Sequence, residues 1–173
     1  MSYRPICDTW ILARPKVKYY GAYPAGFLHR ARALLGVSEL DQVLHVCAGR
    51  VRDYPYRGFG PNDLTVDLDP DTFPDFVMDV RSGLPAGEYQ AILIDRPYTR
   101  EDAAKYAPGE SSLPKLNALV KAALQHVPIG GRVGVLDYVW PHPGNLGKEV
   151  AVVGVGTGRN NRARWFTVFE RTA

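Results

Sequence analysis

The residues best suited to chemistry lie in one stretch, Ile92 to Tyr98, which reads ILIDRPY. An apolar strand runs straight into Asp95, Arg96, Pro97 and Tyr98. Proline cannot donate to a sheet ladder, so the strand stops there and the next residues form a mouth. A carboxylate at the carboxyl end of a central strand can accept N–H bonds from a flat ligand while a neighbouring tyrosine stacks on it. Taken alone, the segment also reads as a strand end with a solvated Asp and a packing Tyr, because short motifs have low specificity.

The elements that would position this stretch follow from the apolar pattern. Val43 to Cys47 is a buried strand followed by Ala48 and Gly49. Leu64 to Leu68 is a second strand, with Asp67 and Asp69 at its end. Phe76 to Met78 is a short third, ending in Asp79, and Ala91 to Ile94 is the fourth. Val133 to Val139 is a fifth. Glu149 to Val155 and Arg164 to Phe169 are two more, joined by a turn too short for a crossover helix and therefore antiparallel. Phe27, Leu28, Ala31, Leu34 and Leu35 share one helical face that ends at Gly36. Leu116, Leu119, Val120, Ala123, Leu124 and Val127 mark a second amphipathic helix, with Ser112 as its expected cap. Thr99 and Asp102 have the spacing of a capped short helix. Strands alternating with helices, closed by a hairpin, predict a three-layer α/β/α fold with a mostly parallel seven-stranded sheet. Ligands of such sheets sit beyond the carboxyl ends of the strands, where Asp67, Asp79 and Asp95 fall. Unpaired carboxylates contribute nothing to a core, so acids at successive strand ends point to a site.

The chain has 173 residues, 46% hydrophobic and 23% charged, which suits one soluble domain, 1–173, with residues 1–21 as an arm packed on it, in which Trp10, Ile11 and Leu12 form a short strand or pack as an anchor. A net charge of +3 permits an anionic partner without requiring one. Cys7 and Cys47 have no zinc or disulfide spacing, and a lone loop histidine, His142, implies no metal site. No apolar run is long enough to span a membrane and the first residues lack the core of a signal peptide, so a cytoplasmic location is expected.

In this order, strand–AG turn, strand–acid, strand–Asp, strand–D-x-P-Y, helix–GG–strand and hairpin, the chain resembles the S-adenosylmethionine-dependent methyltransferases, with their Rossmann-like fold. It is most similar to small phage or prophage-type amino-methyltransferases that modify adenine N6 or cytosine N4 in DNA. The resemblance covers roughly residues 16–170. It implies that His45, Cys47, Ala48 and Gly49 form the first cofactor motif, with His45 at the usual acid position and Cys47 and Val51 at glycine positions; read from the strand alone, His45 is a satisfied core histidine and Cys47 a buried small residue. Asp67, or Asp69 two residues on, matches the acid that binds the ribose hydroxyls, and Asp79 the residue beside the adenine edge. Tyr20 and Phe27 match positions lining the methionine end. Asp95, Pro97 and Tyr98 match the catalytic D-P-P-Y, with Arg96 replacing the first proline.

The implied reaction is direct methyl transfer to an exocyclic amine. Such an amine is a poor nucleophile because its lone pair is delocalised into the ring. Hydrogen bonds to Asp95 and to a backbone carbonyl of the turn would localise that pair, and Tyr98 would stack on the base. A duplex base would first have to be flipped out. Arg50, Arg52, Arg57, Arg81, Arg96 and Arg100 follow or flank the strand ends and form either a phosphate-contacting rim or a set of solvated loop arginines. Trp140 and His142 lie in the loop expected to face the target. Arg159 and Arg162, at the hairpin tip with Arg164, are a second candidate nucleic-acid contact, though such residues are also ordinary turn chemistry. Two other readings stay open: a methyltransferase of RNA or a small molecule, and a non-catalytic cofactor-binding or nucleotide-binding module. A nicotinamide enzyme is disfavoured, since residues 47–52 read CAGRVR and not G-x-G-x-x-G.

Overall fold

The computed structural model describes residues 4–106, 112–158 and 162–173. The chain forms β1 (Ile6–Leu12), α1 (Phe27–Leu35), β2 (Val43–Val46), β3 (Leu64–Asp67), β4 (Phe76–Val77), β5 (Ala91–Ile94), α2 (Arg100–Tyr106), α3 (Leu116–Gln125), β6 (Arg132–Asp137), β7 (Gly147–Thr157) and β8 (Arg164–Arg171). All eight strands join one sheet in the order β1-β7-β8-β6-β5-β2-β3-β4. Only β8 runs against its neighbours, β6 and β7.

The sheet therefore has eight strands and not the expected seven. The extra one is β1, cut from the segment expected to be an arm. It pairs in parallel with β7, from Ile6 opposite Ala151 to Leu12 opposite Thr157. Only Trp10 and Leu12 of this strand are buried. An edge strand that buries one face over part of its length gives a weak alternation signal.

The central strands are apolar throughout because both faces of the sheet are covered. Their alternate residues split between two cores. Val43, Ala91, Leu93, Leu136, Val153 and Phe166 pack with Phe27, Leu28, Ala31 and Leu35 of α1. Leu44, Val46, Ile92, Ile94, Val133, Val135 and Phe169 pack with Leu116, Leu119, Val120, Ala123 and Leu124 of α3. Each fully buried aliphatic side chain contributes about 1.5–3 kcal/mol, enough for these two short helices to hold by packing alone. α1 ends at Gly36, whose φ of 71° lets its N–H and that of Val37 close onto Ala33 and Arg32 carbonyls. α3 begins later than expected. Lys115 is its N-cap and is extended, so Ser112 and Pro114 lie ahead of the helix. None of the described helices is long and apolar enough to cross a membrane.

The fold aligns the carboxyl ends of β2, β3, β4, β5 and β6 along one edge. After β2 the chain goes to β3 on one side, while β5 lies on the other. That is the switch point where open α/β sheets bind ligands.

Candidate functional site

A cleft of about 580 Å³ opens at this switch point. Its floor is the turn after β2, Cys47-Ala48-Gly49, and the turn after β5, Asp95 to Tyr98. One wall carries Asp67, Asp69 and Asp79; residues 19–24 and the start of α2 form the other side.

The turn after β2 has left-handed backbone at Cys47 (φ 56°) and Gly49 (φ 49°). A non-glycine residue in that region is strained and persists only where its surroundings impose it. Here Ala48 N–H donates to the Val66 carbonyl at 3.2 Å, and Gly49 N–H donates to Asp67 Oδ2 at 2.7 Å. Asp67 Oδ1 accepts from Asp69 N–H at 2.9 Å, so this carboxylate ties two turns together. Burial pushes the Asp67 carboxyl above its usual range, against the backbone bonds that lower it. Burial first, then the Asp67 and Asp95 carboxylates, push the Cys47 thiol up, so it is neutral and unreactive at physiological pH. Asp69 uses Oδ1 to accept from Asp71 N–H. The Asp79 carboxylate is gripped by Arg81 at 2.6 to 2.9 Å.

In the second turn, Asp95 N–H extends the ladder to the Val46 carbonyl at 3.2 Å. Its carboxylate accepts from the Tyr98 hydroxyl at 2.5 Å. Burial raises the Asp95 carboxyl to about 6, although Arg164 and the Tyr98 hydrogen bond pull it down. Tyr98 packs its ring 4.6 Å from that of Tyr138, and its hydroxyl is raised well above the usual phenol range by burial and by Asp95. Arg96 turns its guanidinium away from solvent. Nε lies 2.9 Å from Asp137 Oδ2 at the end of β6, where Asp137 is fully buried. The approach is off the hydrogen-bond direction, so this is an ion contact, and Asp137 completes its bonding with Val139 N–H at 2.9 Å. Arg96 thus ties the turn after β5 to the end of β6 while lining the cleft.

Above the cleft, Tyr20 donates to Asp102 Oδ1 at 2.8 Å, and Lys105 donates to the Tyr20 hydroxyl at 3.1 Å. This contact joins the residues ahead of α1 to α2. Thr99 Oγ1 accepts Asp102 N–H at 3.1 Å and starts that helix.

Of the residues singled out in the sequence, Tyr20, Cys47, Ala48, Gly49, Arg50, Val51, Asp67, Asp69, Asp79, Arg81, Asp95, Arg96, Pro97, Tyr98 and Arg162 line the cleft. Others do not. Phe27 is fully buried against Tyr23 and Phe166. His45 points away, into a buried cluster where its Nε2 lies 3.0 Å from Asp63 Oδ2 and Arg32 binds the same carboxylate at 2.7 Å. The histidine stands inside the strand, below the turn, so it cannot take the role of the motif's acid. Arg100 is exposed on α2. Trp140 stacks obliquely on Trp165, 5.5 Å away, and donates to Glu149. His142 folds its own loop by accepting Gly144 N–H at 3.0 Å. Arg159 lies outside the described residues. The expected cationic rim is largely neutralised: Arg50 pairs with Asp53, Arg52 with Asp75, Arg57 with Glu39 and Arg81 with Asp79.

Tyr19, Tyr138 and Thr157, which no sequence pattern marks, also line the cleft, as does Arg164, grouped in the sequence with the hairpin tip. Arg164 was within reach of topology, because the first residue of an antiparallel strand beside β6 must fall at the carboxyl end of β6.

The site fits S-adenosylmethionine on its own evidence. The Gly49 turn has open space where a Cβ would stand, so a ligand can approach the backbone there. The Tyr19 hydroxyl is buried beside the cleft with no hydrogen-bond partner among the described residues. Three carboxylates on one wall can accept hydroxyl and amino protons.

No protein-family model matches the chain, and no curated protein is significantly similar. Solved structures do resemble it. TrmN from Thermus thermophilus superposes with a TM-score of 0.63 at 16% identity, over 88% of this chain and 50% of that one. The N-methyltransferase NodS from Bradyrhizobium japonicum WM9, in complex with S-adenosyl-L-homocysteine, gives 0.56 at 11% identity, over 84% and 85%. A TehB-like S-adenosylmethionine-dependent methyltransferase from Corynebacterium glutamicum gives 0.53 at 11% identity, over 86% and 88%. The chain spans about half the length of the TrmN structure and most of the other two. With a cleft at the switch point of a mostly parallel sheet and an antiparallel strand beside β6, the chain has the fold of the S-adenosylmethionine-dependent methyltransferases.

Proposed function

We propose that the protein is an S-adenosylmethionine-dependent methyltransferase acting on an exocyclic amino group of a nucleobase, with adenine N6 in DNA as the favoured acceptor. The observation that carries this is the Asp95–Tyr98 turn, set in the cleft beside the acid-lined wall. Cys47, Ala48 and Gly49 would hold the methionine part of the cofactor, Asp67 or Asp69 the ribose, and Asp79 the adenine. When bound, the cofactor supplies a methyl group whose bonding pair leaves with the sulfur as the acceptor nitrogen bonds the carbon.

The chain's own residues do the rest. Asp95 accepts an N–H of the acceptor amine on the oxygen now used by Tyr98, which localises the nitrogen lone pair. A backbone carbonyl of the same turn would offer a second acceptor. With its carboxyl at about 6, Asp95 is mostly ionised at neutral pH and can take the proton the amine releases. The Tyr98 and Tyr138 rings fix the base plane. Outside the cleft, Trp140 and Trp165 are 50% and 41% exposed, an aromatic pair on which an unpaired base could stack.

The test is transfer of labelled methyl from S-adenosylmethionine to DNA, RNA and free nucleosides in turn, with Asp95→Ala as control. Label in DNA adenine that is lost in the variant supports the reading. Label in RNA or a nucleoside alone moves the acceptor class, and full activity of Asp95→Ala removes Asp95 from the mechanism.

A further inference from the structure

Arg164 has no part in the chemistry described so far, yet it reaches the centre of it. It opens β8, whose next residue, Trp165, pairs with Asp137 at the carboxyl end of β6. From there its Nη1 donates to the Tyr98 hydroxyl oxygen at 3.2 Å, and that hydroxyl donates to Asp95 Oδ1. The three residues form a line of donors ending on the carboxylate.

The groups facing Asp95 are few. Arg164 and the Tyr98 hydroxyl favour its charge; Asp137 opposes it, and Arg96 offsets Asp137. The Cys47 thiol is neutral. Tyr138 packs on the far side of Tyr98. Among the described residues, Arg164 is the cation that draws the Asp95 carboxyl down. It also donates to the Tyr98 oxygen, so the hydroxyl keeps a partner when a substrate amine takes the carboxylate.

We propose that Arg164 is a positioning residue, anchoring Tyr98 and keeping Asp95 available as a proton acceptor at neutral pH. This rests on the proposed function only for what Asp95 accepts; the coupling of the three side chains can be measured without turnover. The full chain is labelled with carboxyl-¹³C aspartate, and the Asp95 resonance is identified by its loss in Asp95→Asn. Its titration is followed in wild type, Arg164→Gln, Arg164→Met and Arg164→Lys. The wild-type midpoint should lie at about 6. Either neutral variant should raise it by about one unit, a tenfold loss of carboxylate at a given pH, and Arg164→Lys should recover most of the shift. Two neutral replacements of different shape guard against one failing to fold. An unmoved midpoint in a folded neutral variant, or a lysine variant shifted as far as glutamine, overturns the proposal. A raised midpoint in a protein that methylates nothing leaves the role of Arg164 standing and removes the proposed function instead.

Discussion

Replacing Arg96 by methionine should unfold the protein more readily, because its main partner is a buried carboxylate. Arg96 and Asp137 face each other in the interior, with side-chain exposures of 8% and 0%. Removing one partner of such a pair leaves a buried charge uncompensated, at a cost of about 3–5 kcal/mol. Asp137 keeps its hydrogen bond from Val139 N–H, so the low end applies, about 3 kcal/mol. For a domain of this size that lowers Tm by roughly 6–12 °C. Burial already raises the Asp137 carboxyl despite Arg96, and without the arginine it must rise further. The deficit of Arg96→Met should therefore shrink as pH falls, because protonation removes the stranded charge.

Adding Asp137→Asn to Arg96→Met replaces the carboxylate by a neutral amide. The pair should then couple by about 2 kcal/mol in a double-mutant cycle read from urea unfolding at pH 8 and pH 5. Cofactor affinity in the single variant should match wild type. Wild-type stability in Arg96→Met, with zero coupling to Asp137, would refute the structural assignment and return Arg96 to the substrate.

Asp95→Asn should abolish methyl transfer and spare cofactor affinity, yet stabilise the fold above pH 6 by about 1–3 kcal/mol. The folded Asp95 holds its proton up to about 6, above its unfolded value, so wild-type stability falls as pH rises toward 6 and the asparagine variant escapes that loss; matched denaturation curves at pH 5 and 8 check it. Asp63→Ala should cost about 3–5 kcal/mol by stranding Arg32 beside His45, as calorimetric unfolding would report. Burial works against the Asp63 charge, yet hydrogen bonds from His45, Arg32 and Gly60 hold its carboxyl below the usual range, so its stabilisation is present above about pH 4 and lost as pH falls through the folded value. Tyr20→Phe removes the hydroxyl that bridges Asp102 and Lys105 and should speed cofactor release about tenfold, for a loss of about 1.4 kcal/mol, in stopped-flow displacement.

Several elements were legible in the sequence because local pattern decided them. The apolar runs of β2 and β5 require cover on both faces, and the residues that end them had to meet at one edge. The periodic faces of α1 and α3 gave their packing directly. What escaped depends on distant partners. β1 is a strand because β7, from the far end of the chain, supplies its ladder. Arg96 looked like a group facing the ligand because nothing near it in sequence announces Asp137 as its counter-charge. His45 reads as a core histidine from its strand and is one, but its partner Asp63 arrives from the loop ahead of β3. The arginines after the strands looked like a phosphate rim until acids from neighbouring loops closed on them.

The central claim is that this cleft takes S-adenosylmethionine, and calorimetric titration tests it most directly. The purified protein is titrated with S-adenosylmethionine, S-adenosylhomocysteine and NAD, alongside Gly49→Val, whose side chain would fill the open space and strain the left-handed turn. Micromolar binding of the first two, none for NAD and loss of binding in the variant is the predicted result. Binding of neither adenosyl compound would contradict the account.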